Sequence, residues 1–349
     1  MKLELLENEM FDLSVIIPTH NRVDHLPGLL ASLASQDYPP EKWEAIIVDD
    51  GSSDSTRAYL DSVRETDGVL RPANLRVMHQ AQSGVAMARN NGGRSAHGRG
   101  LLFLDDDMLA SPTLVGEHAR VHLEVSQAVV IGYISVPTTG RRPWVAWEDH
   151  HMQRHYDALK SGRRIPGPRD FYTGNVSVSA ALFNSVNGFD TGLPRAEDLE
   201  MGYRLRNAGA RFYHRIAAGS LHLGQHSFEG WARNAGLYGQ ADVMLAWEKG
   251  HIELQKDIFN WYHARRRWGR VLVELFSAHP RWLKPAVGLL NLAGRGAYYP
   301  GLHSISRACY STIHHLNYWL AIIQALGHER FWKGVEVESV PTGVGYDAL

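Results

Sequence analysis

Three adjacent carboxylates follow a short apolar run at Leu101–Leu104. The run is too short for a helix and has the character of a strand that is buried on both faces. Asp105, Asp106 and Asp107 then lie at the strand end, where they repel one another unless a cation or hydrogen-bond donors face them. Because Mg²⁺ and Mn²⁺ prefer oxygen ligands, this strand end predicts a divalent-metal site, with an acidic turn as the alternative for the motif taken alone.

A second acidic strand end lies upstream. Residues 43–48 predict a buried strand, which runs into Asp49 and Asp50 and then into a turn rich in Gly, Ser and Asp. These residue types also cap helices, and a helix is predicted over 56–64. Taken alone, the segment fits an acidic helix cap, but two acidic strand ends in one sheet favour a ligand site.

Strand and helix alternate through the first part of the chain, which is typical of an α/β protein with an open, mostly parallel sheet. In such sheets ligands bind outside the carboxyl ends of the strands, and both acidic segments lie at those ends. The predicted strands are 13–19, 43–48, 75–79, 101–104, 129–136, 171–179 and 211–214, and the predicted helices are 23–35, 56–64, 84–96, 180–186 and 195–207.

Two further segments carry side chains that could complete a site. Glu197 and Asp198 fall in the first turn of a helix, where the helix dipole favours acids, so they either cap the helix or provide a general base in a cleft. His222 follows a segment that returns towards the acidic cluster, and it is a candidate third metal ligand beside the carboxylates. The choice between His222 and His226 as that ligand stays open.

The aromatic residues concentrate after residue 140. Residues 141–170 are rich in Arg, His, Trp, Pro and Gly and predict a long irregular segment over the mouth of the site, with Trp144 and Trp147 on the acceptor side. From Trp231 to Gly334 the pattern is helical, and aromatic residues are interleaved with Arg265–Arg267. Such helices either pack within the protein, which we favour, or lie on an anionic membrane surface.

Composition excludes several classes of protein. The 349 residues are 44% hydrophobic and 21% charged, as expected of a globular chain, and a net charge of −1 provides no basic field for nucleic acid. The lone cysteine excludes an internal disulfide framework and a multi-cysteine zinc site and favours a reducing compartment. The first residues are unlike a signal peptide, and no apolar run is long enough to span a membrane. We expect a cytoplasmic location, with peripheral contact at the inner membrane face as the open alternative.

Four motifs, in this order, closely resemble those of the family-2 glycosyltransferases of the GT-A fold. They are residues 14–22 (SVIIPTHNR), 48–56 (VDDGSSDST), 103–107 (FLDDD) and 196–205 (AEDLEMGYRL). Gly174–Asn175 followed by 187–190 (NGFD) is similar to the acceptor-side segment of the family. The resemblance covers about residues 12–240, so we predict a catalytic domain over 1–240 and a helical extension over 241–349.

The resemblance implies a role for each matching residue. Asp50 would bind the nucleotide base, and His222 would lie near the diphosphate as a metal ligand. Asp107 would coordinate the metal directly, and Asp105 would be a further ligand of the metal or contact the ribose. Asp198 would be the catalytic base, paired with Glu197. The predicted donor-nucleotide residues are Pro18, Thr19, His20, Asn21, Arg22, Asp50, Gly84, Arg89, Asp105 and Asp106, and the predicted acceptor-side residues are Gly174, Asn175, Trp144 and Trp147.

The family resemblance also implies an activity. It is an inverting transfer from a nucleoside-diphosphate sugar to an acceptor hydroxyl, dependent on Mn²⁺ or Mg²⁺, with UDP as the first choice of nucleotide and GDP or dTDP as alternatives. This sequence lacks the Gln-x-x-Arg-Trp motif and the membrane spans of polymer-building members, which favours single addition. Two other interpretations stay open: a nucleotidylyltransferase, which would need a Gly-rich phosphate loop after the first strand, and a catalytically silent carbohydrate- or membrane-surface module.

Overall fold

The computed structural model describes residues 11–65, 71–137, 142–193, 195–224 and 227–337. The chain divides into two compact units. The first comprises Met1–Thr139 and Met152–Gly224, and the second comprises Gly140–His151 and Gln225–Leu349. The functional boundary near residue 240 stays a prediction.

The first unit is built on one sheet of eight strands in the order β3-β2-β1-β4-β7-β6-β8-β5. Parallel pairs join β1 to β2, β2 to β3, β1 to β4 and β6 to β8, and antiparallel pairs join β7 to β4 and β6, and β5 to β8. The predicted α/β class with a mostly parallel sheet is confirmed. The strands are β1 Phe11–Thr19, β2 Trp43–Asp50, β3 Leu75–Gln80, β4 Gly98–Leu104, β5 Met108–Ala110, β6 Ala128–Ser135, β7 Asn175–Ser179 and β8 Arg211–His222.

Hydrophobic layers cover both faces of the sheet. Along β4, Leu102 and Leu104 join one cluster while Leu101 and Phe103 join another, because successive strand residues point to opposite faces. Every residue of β2, which lies between β3 and β1, is buried, and this explains its near-continuous apolar run. The helices that follow these strands in sequence are α1 Leu26–Ala34, α2 Thr56–Glu65, α3 Val85–Ser95, α4 Leu114–Glu124, α5 Pro143–Lys160, α6 Ala180–Ser185 and α7 Glu197–Asn207.

The prediction of an irregular segment over 141–170 is wrong for most of its length, because α5 occupies Pro143–Lys160. Its buried residues follow helical spacing, with Trp144 and Trp147 one turn apart and Tyr156 and Leu159 likewise. Pro143 is tolerated because the first helical residue needs no backbone donor. The many His and Arg residues obscured this apolar pattern in the sequence.

The last strand is longer than predicted and carries His222 to the site. Residues 211–214 were predicted as a strand, but β8 continues to His222 through a register irregularity opposite Gly132 and Tyr133. Its final residues pair antiparallel with β5, where Met108 lies opposite His222. Sheet pairing therefore brings His222 next to the acidic strand end.

The second unit is helical in its described part, as predicted. Its core contains Tyr310, Ile313, Trp319 and Ile322, all fully buried on one long helix. Within the described ranges, no helix combines the length and apolar character needed to cross a bilayer. The helices of this part are α8 Phe228–Val243, which continues as a π-helix over Met244–Glu248, then α9 Ile252–His263, α10 Arg267–Ala278, α11 Leu283–Tyr298, α12 His303–Leu326 and α13 His328–Val337.

Candidate active site

The carboxylate of Asp50, at the carboxyl end of β2, organises the turn before α3. Its Oδ1 accepts hydrogen bonds from the Gln80 side chain and the Ser83 amide, each at 2.7 Å, and its Oδ2 accepts one from the Gly84 amide at 2.8 Å. Gly84 has a φ of +92°, a conformation that glycine adopts without strain. Asp50 therefore shapes the loop that leads to Arg89 and lies where the sequence placed a nucleotide site.

The loop after β1 closes over the same sheet edge. Pro18 lies in β1 opposite Val48, and the His20 Nδ1 lies 2.9 Å from the backbone carbonyl of Asp50. Asn21, at a φ of +53°, accepts hydrogen bonds at Oδ1 from the backbone amides of the β2–α2 turn. The backbone amide of Arg22 donates a hydrogen bond to the Thr56 hydroxyl. Arg22 itself is exposed at this rim of the sheet.

Asp106 points into the protein. It is buried, and its Oδ2 accepts a 2.7 Å hydrogen bond from the Thr19 hydroxyl. Burial raises the pKa of Asp106 to about 6, against the lowering effect of that hydrogen bond. Asp106 and Thr19 thus fasten the β1 loop to the acidic strand end, and their predicted contact with the donor nucleotide stays a prediction.

Arg89, on α3, joins two parts of the site that are far apart in sequence. Its Nη2 donates to Asp105 at 2.8 Å, and its Nη1 donates to Glu197 at 2.7 Å. Only 5% of the Arg89 side chain is exposed, and its Nε has no hydrogen-bond partner. Burial opposes the charge, but the carboxylates outweigh it and raise the pKa of Arg89. The bridge was invisible in the sequence, which pointed only to a role near the nucleotide.

Asp198 lies in the first turn of α7, directly after Glu197. Its Oδ1 accepts the Leu199 amide at 2.7 Å. Burial and the neighbouring charge of Glu197 raise the pKa of Asp198 to about 6, while Arg89 acts against this rise. The helix begins after Ala196, which has a φ of +61°, a strained conformation for an alanine and one that is often found at functional sites. A half-buried carboxylate with a raised pKa has the properties of a general base.

Asp107 and His222 form the candidate metal position. The Asp107 Oδ2 lies 3.4 Å from the His222 Nε2 across the β5–β8 pairing. Burial alone would raise the pKa of Asp107. The hydrogen bond and charge of His222, with the charges of Arg22 and His25, outweigh burial and lower this pKa below its ordinary value, so the carboxylate is ionised. A Cβ on Gly224 would lie 2.5 Å from this Oδ2, so glycine keeps the space beside the pair open.

This pair fits a divalent cation as a partial ligand set. A carboxylate oxygen and an imidazole nitrogen suit Mn²⁺, and Mg²⁺ commonly takes one or two carboxylates with phosphate oxygens from its substrate. Within the part of the chain that the structure describes, no cluster of three potential metal-ligating side chains is present. Asp105, predicted as a ligand, is engaged by Arg89 through Oδ1, and His226 lies outside the described residues.

The predicted acceptor-side residues are divided between the two units, with Gly174 and Asn175 in the first and Trp144 and Trp147 in the second. Asn175 is buried between strands, where its amide donates to Ala218 and accepts from His118. Trp144 and Trp147 belong to the core of the second unit, where both are buried. Gly174 does adjoin the site, because a Cβ there would lie 3.5 Å from the Asp105 Oδ2. The acceptor roles stay predictions.

Two residues that affect Asp107, His25 through its charge and Gly224 through its closeness, were not predicted from the sequence. His25 precedes α1, and its charge lowers the pKa of Asp107. The sequence did offer a signal for Gly224, because this glycine lies two residues after His222, which was predicted as a metal ligand. No sequence pattern marked His25, because a single histidine before a helix is common.

The eight-stranded sheet with acids at the carboxyl ends of its strands is an α/β fold that occurs in solved structures. The fold is shared with mannosyltransferase PcManGT from Pyrobaculum calidifontis, solved with GDP-Man and Mn²⁺, at a TM-score of 0.55 and 19% identity over 91% of this chain and 88% of that one. It is also shared with residues 1–349 of TarS from Staphylococcus aureus, solved with UDP-GlcNAc, at a TM-score of 0.53 and 17% identity over 92% of each chain.

Sequence similarity identifies the family. Residues 14–184 match the model of glycosyl transferase family 2. Validoxylamine A glucosyltransferase from Streptomyces hygroscopicus subsp. limoneus is 34% identical over an alignment of 226 positions that covers 56% of this chain and 48% of that protein. Residues 14–184, just under half of the chain, are therefore a glycosyl transferase family 2 segment on a GT-A type fold, which confirms the resemblance for that segment. It spans about half the length of the first curated relatives that it matches.

Proposed function

We propose that this chain is an inverting, metal-dependent glycosyltransferase that moves one sugar from a nucleoside-diphosphate sugar to an acceptor hydroxyl. The observation that carries the proposal is the Arg89 bridge, which ties Asp105 at the donor strand end to Glu197 beside Asp198. One buried guanidinium thereby couples the place where a donor would lie to the candidate base.

The donor side is the edge formed by β1, β2 and β4. The β1 loop and the turn held by Asp50 supply backbone and side-chain polar groups at the carboxyl ends of these strands, where nucleotides bind in open α/β sheets. We place a UDP-sugar first and GDP- and dTDP-sugars next. PcManGT was solved with GDP-Man and TarS with UDP-GlcNAc, so donors of both bases occur on this fold.

Asp107 and His222 would hold the cation on the diphosphate side. When bound, Mn²⁺ or Mg²⁺ neutralises the charge that develops on the leaving nucleoside diphosphate. Ionised Asp107 would contribute the negative charge, and the imidazole of His222 would contribute a nitrogen lone pair. PcManGT was solved with Mn²⁺, which supports testing that ion first.

Asp198 would accept the proton of the acceptor hydroxyl as the new glycosidic bond forms. An alcohol is far too weak an acid to ionise near neutral pH, so it needs a base within about 3 Å. With Asp198 as base, the hydroxyl attacks the anomeric carbon directly while the nucleoside diphosphate leaves from the opposite face. Direct attack of this kind inverts the configuration at that carbon.

The acceptor class is a saccharide, a lipid-linked saccharide or a small molecule. The names of the relatives differ in this respect, from validoxylamine A to poly(ribitol-phosphate) and pre-mycofactocin. The absence of the Gln-x-x-Arg-Trp motif from the sequence supports single addition over processive synthesis.

A donor panel tests the proposal. The protein is incubated with UDP-, GDP- and dTDP-sugars and Mn²⁺, and release of nucleoside diphosphate is measured with and without EDTA. We expect slow, metal-dependent hydrolysis of at least one donor. Pyrophosphate exchange would instead indicate a nucleotidylyltransferase, and no turnover of any donor would favour the silent module.

A further inference from the structure

Large apolar side chains are exposed on one region of the second unit. Among the described residues, fifteen large hydrophobic side chains are exposed, and nine of them lie between residues 268 and 305. They are Trp268, Val271, Leu275, Trp282, Leu289, Leu292, Tyr299, Leu302 and Ile305. We name this set the apolar patch. Singly scattered apolar side chains are normal on a protein surface, but nine exposed ones between residues 268 and 305 favour an interaction surface in this region.

The patch follows helical spacing on two helices. On α10, Trp268, Val271 and Leu275 share one face, while Gly269 and Val273 are buried on another. On α11, Leu289 and Leu292 share a face and are each about 70% exposed, while Gly294 and Ala297 are buried. Both helices pack against α12, so each has used one face for the fold and left an apolar face uncovered.

The same region is strongly basic. Residues 264–307 contain eight Lys or Arg residues and one acid, Glu274, in a chain whose net charge is −1. Arg266, Arg267, Arg281, Lys284 and Arg295 are exposed residues interleaved with the patch. Long basic side chains can keep their charges in water while apolar neighbours enter a non-aqueous layer. This combination is the signature of helices that lie in the interface of an anionic bilayer.

We propose that α10, α11 and the start of α12 dock this protein on the surface of an anionic phospholipid membrane. A second copy of the chain fits less well, because a symmetric interface would oppose the same basic residues to one another. An anionic surface supplies complementary charge and an apolar layer together. The buried stretch of α12 with Trp319, Ile322 and Ile323 has a packing role instead.

Vesicle flotation tests the proposal with the full chain. Vesicles of phosphatidylcholine alone are compared with vesicles containing 30% phosphatidylglycerol. We expect at least tenfold stronger partitioning to the anionic vesicles, and weaker partitioning as salt rises, because screening shortens the range of charge attraction. Binding to neither vesicle, or equal binding to both, would overturn the proposal.

Two variants separate the apolar and basic contributions. Leu289→Gln with Leu292→Gln should lose at least tenfold in partitioning. Arg281→Gln with Lys284→Gln and Arg295→Gln should lose about 100-fold, since each basic residue near an anionic surface contributes about fivefold. Ile165→Gln with Ile252→Gln is the matched control, because both isoleucines are exposed but outside the patch. The control should bind as the wild type does.

Sedimentation tests whether a second copy of the chain, rather than a membrane, covers the apolar patch. All variants change exposed side chains, and thermal unfolding within a few degrees of the wild type checks that they fold. We expect the wild type without lipid to sediment as does the Leu289→Gln with Leu292→Gln variant. A wild-type dimer that this variant dissociates would overturn the membrane proposal in favour of a second copy.

Discussion

Replacing Arg89 by methionine removes the cation that holds Asp105 and Glu197 while keeping the length of the side chain. Breaking a buried ion pair costs about 3–5 kcal/mol. Asp105 is 35% exposed and Glu197 is 13% exposed, so water screens part of this loss, and we expect about 2–3 kcal/mol of lost stability. The measurement is urea unfolding at pH 7.

The same change should alter the chemistry at Asp198. Arg89 lowers the pKa of Asp198, which burial and Glu197 raise to about 6. Without Arg89 the acidic limb of the kcat profile should move up by about one pH unit, and kcat at saturating donor should fall about 100-fold through misplacement of the base. The donor KM should change less than threefold.

Two matched variants separate charge from geometry. Arg89→Lys keeps the charge but cannot span both carboxylates, so the acidic limb should stay near pH 6 while kcat falls about tenfold. Glu197→Gln removes the charge that raises the pKa of Asp198, so its acidic limb should move to lower pH. Release of nucleoside diphosphate between pH 5 and 9 is the assay. A donor KM raised tenfold in Arg89→Met, with an unchanged pH profile, would refute the bridge and make Arg89 a donor-binding residue.

Two further predictions concern the metal and the buried histidines. Asp107→Ala should raise the Mn²⁺ concentration for half-maximal turnover at least tenfold, because metal-dependent donor binding is weakened, whereas Asp61→Ala should leave it unchanged. Equal values for the two variants would contradict the ligand role of Asp107. Burial lowers the pKa of His118 to about 4 and of His122 to about 3, so the folded state resists protonation where the unfolded chain accepts it. Each histidine therefore contributes stability that is complete above about pH 6.5 and is lost as pH drops, by up to about 1.4 kcal/mol per pH unit, while the raised pKa values of Asp106 and Asp198 act in the opposite direction below about pH 6. The wild type is therefore compared with His118→Gln by urea unfolding, and a free-energy difference between the two that stays constant from pH 7 to 5 would contradict this.

The fold could be predicted because its signal is local. Apolar runs such as Leu101–Leu104 and the turn residues after β2 announce buried strands and their ends without knowledge of distant neighbours. The helix α5 could not, because its His and Arg residues hide an apolar spacing. The extension of β8 to His222 escaped prediction for a different reason: it depends on pairing with β5, a contact between segments about 110 residues apart.

The site could be predicted only in part. Acids at strand ends pointed to Asp50 and Asp107, because parallel strands bring their carboxyl ends to one edge. The roles within a motif could not be separated, since Asp106 turns into the protein while Asp105 turns to Arg89. Asn175 looked like an acceptor residue, yet hydrogen bonds with His118 and Ala218 hold it inside the sheet. Such partners depend on tertiary packing.

The central claim is that Asp198 is the general base of a sugar transfer. Its direct test is the Asp198→Asn variant, assayed for kcat at saturating donor and for nucleotide affinity by calorimetry in the presence of Mn²⁺. We predict a 100- to 10,000-fold loss of kcat, the usual contribution of a general base, with nucleotide Kd changed less than threefold. A kcat within tenfold of the wild type, or a matching loss of nucleotide affinity, would contradict the claim.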